Sequence, residues 1–90
     1  MATYLVSYDL NTPGKDYSLL YASIKELSGS WWHYLDSTWF IRTELPPSVL
    51  RDKLRQVLDS TDQIIIIKVT LPWASYNLSD EAVQWLKNNT

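Results

Sequence analysis

Residues 31–43 read WWHYLDSTWFIRT. Aromatic and β-branched side chains dominate, which suits a pleated, half-buried surface. The "LDS" in the middle supplies turn residues, so the stretch predicts two short antiparallel strands rather than one long one. That division decides the fold, because it sets two consecutive strands between two helical patterns.

Toward the N-terminus, Leu20, Ile24 and Leu27 are spaced i, i+4, i+7 and form one apolar helical stripe. Asp16 or Ser18 is placed to cap its start, and Gly29 its end. The preceding "NTPGKD", residues 11–16, is loop. Before it, residues 3–9 alternate as a strand, with Tyr4, Val6 and Tyr8 on one face and Leu5, Ser7 and Asp9 on the other. Toward the C-terminus, Pro46 and Pro47 mark a helix start. Leu50, Leu54, Val57 and Leu58 form its stripe, and "DSTD" closes it. "QIIIIKVT", residues 63–70, reads as a strand buried on both faces, since its aliphatic run is continuous.

The resulting order, β-α-β-β-α-β, is the ferredoxin-like α+β sandwich, a four-stranded antiparallel sheet with helices on one face. Residues 1–90 make one domain, with a core over about 3–70 and an arm plus helix over about 71–90. "LPWASY" in the arm is a short extra strand or an extended segment. In the final helix Ser79 is the N-cap, Leu78 and Val83 the staple, and Asp80 and Glu81 sit where the dipole favours acids. Trp85 lies on its apolar side.

The chain holds no cysteine, which excludes disulfides, thiolate metal sites and cysteine nucleophiles. Its formal charge of −2 argues against a non-specific nucleic-acid coat, though a local patch could still bind phosphates. It opens straight into a strand pattern without a leader-like stretch, and its longest aliphatic run is Ile64–Ile67. A cytoplasmic protein with no membrane span is the expectation.

Five tryptophans and six tyrosines stand out. Trp31 and Trp32 point to opposite faces, and residues 38–41 carry large side chains on both. A sheet with helices on one face would leave an aromatic surface bare, which monomers rarely do. A homodimer is expected to cover it, ahead of a fold-back of the C-terminal helix and arm. Trp31, His33 and Trp39 are interface candidates, and a protein partner is the other use of such a surface.

Asp9 has two readings. It is a strand-end residue accepting loop N–H groups, or, paired with its copy across a two-fold axis, a magnesium ligand, with Ser7 or Asn11 adding oxygens. His33, the one histidine, reads as a structural or interface residue sharing a face with Trp31. Asp36 and Ser37 are turn residues. Lys15, Arg51 and Arg55 are candidate phosphate contacts, the two arginines sharing a helix face at i, i+4. No catalytic triad or glycine-rich phosphate loop is present.

The strand "YLVSYDL", the helix ending at a glycine turn and the hairpin "LDSTWFI" resemble the CRISPR-associated Cas-two proteins, the VapD-like ribonuclease toxins and the SinR-like proteins. The resemblance spans about residues 3–69, with the SinR-like group nearest. It implies a ferredoxin-like homodimer and, in nuclease members, a metal-dependent endonuclease whose strand-end aspartate holds magnesium (or manganese) for RNA or DNA cleavage. Asp9 matches that catalytic aspartate, Ser37 matches the serine after the hairpin turn, and Asp36 becomes a second carboxylate near Asp9. Tyr8 completes the strand-ending Tyr-Asp pair and is a supporting candidate. Leu35 and Asp36 stand where Cas-two proteins commonly have a glutamine before the serine, and Phe40 follows Trp39.

Overall fold

A computed structural model describes residues 1–90. Strand β1 (Ala2–Asp9) leads to helix α1 (Ser18–Leu27), the hairpin β2 (Ser30–Leu35) and β3 (Thr38–Thr43), helix α2 (Pro47–Arg55), strand β4 (Gln63–Lys68) and helix α3 (Asp80–Asn89). The sheet order is β2-β3-β1-β4, with every neighbour antiparallel. This is a ferredoxin-like α+β sandwich with an added C-terminal helix.

The pleat of β1 divides the side chains. Val6 is level with Trp39 on one side and Ile66 on the other. With Tyr4, Tyr8 and Ile41 they meet Leu20 and Ile24 of α1 and Leu50 and Leu54 of α2 in the main core. One residue along, Trp32, Phe40, Leu5 and Ile67 form a row across the opposite face.

The C-terminal helix and arm cover half of that second face. Trp32, Ala82 and Leu86 form a separate buried cluster, joined by Phe40, Trp73, Leu78 and Trp85. The Trp32 and Phe40 rings stack at 4.6 Å. The fold-back of helix and arm thus covers Trp32 within the chain, while Tyr34 of the same strand stays 60% exposed. Ser79 caps α3 as its sequence indicates, its hydroxyl accepting the Ala82 N–H at 3.1 Å. The Arg42 guanidinium and the Thr3 hydroxyl donate to the Asn89 carbonyl at the far end. The Trp32 indole N–H is buried without a partner.

Several local expectations change. "QIIIIKVT" is not buried on both faces. Its strand is one of the two edge strands, and Ile65 and Ile67 are 54% and 50% exposed. A continuous aliphatic run reports apolar side chains, not how many layers cover them. Gly29 is not a left-handed cap, since α1 ends on extended Ser28. Its N–H instead bonds the Arg42 carbonyl at 2.8 Å, and a Cβ there would lie 3.3 Å from that same oxygen. At the helix start Tyr17 holds the cap position, while Asp16 accepts the Ser18 N–H. The arm forms no strand. Trp39 is 1% exposed and belongs to the core rather than to an interface.

No helix is long and apolar enough to cross a membrane.

Two cores predict two responses. Leu50→Ala should lower the unfolding free energy by about 2–5 kcal/mol, the usual range for emptying a packed leucine site, as read by urea titration. Leu86→Ala should first raise amide exchange across α3 while the sheet amides stay protected.

Candidate metal and nucleic-acid site

Asp9 closes β1 at the end of the sheet where the hairpin turn and the α2–β4 connection also lie. Strand alternation sends its carboxylate to the second face, beyond Leu5 and Ser7, where the residue is exposed. Its loop contact is through the main chain, since Asn11 Nδ2 donates to the Asp9 carbonyl oxygen at 3.3 Å. The carboxylate has no intramolecular hydrogen bond or ion pair.

The hairpin turn reaches this end. Tyr8 N–H donates to the Ser37 carbonyl at 3.1 Å, and the Ser7 and Thr38 hydroxyls are 3.2 Å apart. The β1–β3 ladder ends at Ser7↔Thr38, and Asp36 lies beyond it in the turn. On the other side Asp9 is level with Gln63 of β4. A shallow groove there is lined by Ser7, Tyr8, Asp9, Gln63, Ile64 and Ile65.

Tyr8 does not join the site. It points into the main core, where its hydroxyl accepts the Trp39 indole N–H at 3.0 Å. Burial pushes its phenol above the usual value, the Trp39 bond acting the other way. A neutral, inward-facing phenol cannot assist Asp9 on the opposite face. Adjacent strand residues always diverge in this way, so the Tyr-Asp pair is one motif in sequence and two environments in space.

His33 is a structural residue. Its ring stacks on Trp39 at 4.0 Å, and Nε2 donates to the Asp36 carbonyl at 3.0 Å, tying the hairpin turn. Trp31, on the same face, is 40% exposed under the Lys25 ammonium.

Lys15 is committed elsewhere. Its ammonium binds Asp59 Oδ1 at 2.9 Å and lies over the Tyr17 ring. Thr12 donates to the other Asp59 oxygen at 2.7 Å. Asp62 accepts from the Asn11 N–H, the Tyr17 hydroxyl and the Asp59 N–H, each at 2.8 Å. Asn11 Nδ2 donates at 2.8 Å to the Thr61 carbonyl. Asn11 is therefore mainly a clamp between the two loops.

The electrostatics follow from these bonds. The Asp59 carboxyl is held below its usual value, chiefly by the Lys15 bond, and that bond raises Lys15. For Asp62 burial alone pushes upward, but the donors from Asn11, Asp59 and Tyr17 outweigh it and the net shift is down. The sequence shows "DSTD" as a closing turn. It does not reveal this clamp, because Lys15 and Asp59 are 44 residues apart in the chain.

Arg51 and Arg55 line one depression together with Gln63. Within one chain no three His, Cys, Asp or Glu side chains gather as a metal site. Comparison with family models, with curated proteins and with solved structures gives no match.

Both carboxyl shifts are downward, so the loop clamp contributes fully above the unfolded carboxylate value, about 3.9. It is lost as pH falls through the lower folded values. Unfolding titrations between pH 2 and 5 should show wild-type stability falling with a steeper slope than in Asp59→Ala or Asp62→Ala.

Proposed function

We propose that the chain is a Cas-two-like homodimer that cleaves phosphodiesters in RNA or DNA, with Asp9 of each copy as the metal-binding carboxylate. The observation that carries this reading is the setting of Asp9. It is an exposed carboxylate without a partner, beside the uncovered half of an apolar sheet face.

Leu5, Ile65 and Ile67 make up that half, and α3 packs on Trp32 of the other. Two copies packing face to face are therefore confined to the β1–β4 side. A two-fold axis on that side brings the two Asp9 residues across from each other.

The donor chemistry fits magnesium or manganese, which take carboxylate and water oxygens. One chain supplies too few ligands alone, so the dimer is part of the proposal. Such an ion, when bound, neutralises phosphate charge and acidifies a coordinated water. The chain's part is to hold the carboxylates at the strand end. The Ser7–Thr38 hydroxyl contact and the clamped Asn11 loop limit their movement.

A second reading is a non-catalytic dimeric scaffold binding a protein through an apolar surface. It is favoured by a cavity of about 260 Å³ between the arm and the sheet, lined by Phe40, Val69, Trp73 and Tyr76 among others.

The deciding assay is cleavage of mixed RNA and DNA with magnesium or manganese, beside sedimentation equilibrium. Asp9→Ala should abolish cleavage and leave a dimer. Ile67→Glu should give a monomer that does not cleave. A wild-type protein inert with both metals leaves the scaffold reading in its place.

A further inference from the structure

Strand β4 is an outer edge of the sheet, and three adjoining depressions run along it. Ile64 lines all three. The first holds Ser7, Asp9 and Gln63. The second holds Pro47, Ser48 and Arg51. The third holds Arg51, Arg55, Ser60 and Gln63. A continuous path thus leads from the Asp9 groove, over the strand edge, to the outer face of α2.

The charges along this path differ in how far they are engaged. Asp59 and Asp62 also line the third depression. Asp59 is paired with the Lys15 ammonium and accepts from Thr12, while Asp62 keeps its negative charge and accepts three neutral donors from the loops. Arg55 has no acidic partner, and the one acid on Arg51 is its neighbour Asp52, in a pair whose side chains are 55% and 59% exposed. Exposed pairs of that kind hold an arginine weakly. Both guanidinium groups are therefore free to take an anion. They stand one helical turn apart, about 6 Å along the axis, a spacing suited to successive phosphates of an extended strand. The outward main-chain N–H groups of an edge strand have no ladder partner and add donors between them and Asp9.

We propose that this edge is a single-stranded nucleic-acid path, in which Arg51 and Arg55 bind backbone phosphates of the strand whose neighbouring phosphodiester lies at Asp9. The proposal rests on the nuclease reading for its ligand, but it concerns binding and is tested without cleavage. Arginine is suited to this work because its planar fork grips two phosphate oxygens at once.

The test is fluorescence anisotropy with labelled single-stranded RNA and DNA oligonucleotides, in chelator, across a salt series. Arg51→Ala with Arg55→Ala should weaken binding at least tenfold. It should also reduce the slope of log K against log salt by roughly 1.4, at about 0.7 per phosphate contact on single strands. Lys25→Ala, which lies off the path against Trp31, should keep the wild-type slope. Arg51→Lys with Arg55→Lys should keep the slope with lower affinity. An unchanged slope in the double alanine variant, or no binding by wild type, overturns the path. Binding through the arginines without any cleavage by wild type sinks the nuclease reading and leaves the path standing. Cleavage lost in Asp9→Ala, with binding indifferent to the arginines, does the reverse.

Discussion

Strand β1 runs through the middle of the sheet, and its two-residue period is the constraint on which the other features depend. Tyr4, Val6 and Tyr8 pack against the helices, while Leu5, Ser7 and Asp9 face away from them. A slip of one residue would bury Asp9 among aromatic rings and expose Val6. Because β1 pairs on both sides, the same register levels Asp9 with Gln63 and brings the hairpin turn, at Ser37, beside Tyr8. Core packing and placement of the candidate ligand are thus one requirement met by one strand.

The second face is where a ferredoxin-like sheet of this size has to find extra cover. Here α3 does so for the β2–β3 half, stacking an independent cluster on Trp32 and Phe40. The cover is tied at its end by Arg42 and Thr3 reaching the Asn89 carbonyl. The β1–β4 half stays open, with three aliphatic side chains and Asp9 at one end. An intramolecular lid over one half narrows where a second copy could sit, and the remaining half is the one that holds Asp9.

Charge at the Asp9 end of the sheet is sorted by commitment rather than by number. Lys15, Asp59, Asp62 and Asn11 spend their hydrogen-bonding capacity on holding the β1–α1 loop to the α2–β4 loop. Asp9, Arg51 and Arg55 are left for a ligand. A net charge of −2 hides this division. In the Lys15–Asp59 pair opposite charges sit 2.9 Å apart and largely offset one another, so the average says little about the local surface.

Much of the architecture is legible in the residues themselves. The turn in "LDS", the paired prolines before α2, the Ser79 cap and the alternation of β1 are local signals, and local geometry answers to them. Asp9 as a strand-end carboxylate was visible for the same reason. Tyr8 and Trp39 were misread as site and interface residues because neighbouring positions in a strand look alike until a helix is laid over one face. The continuous isoleucines of β4 could not reveal an edge, since hydrophobicity records a side chain's own transfer energy and not its neighbours. Partners 44 residues apart, such as Lys15 and Asp59, meet only when two loops close over one end of the sheet. The sequence by itself determined the elements, their order and the faces of each strand. Which face was covered, by which helix, and which charges stayed free depended on long-range packing, and only the tertiary structure decided them.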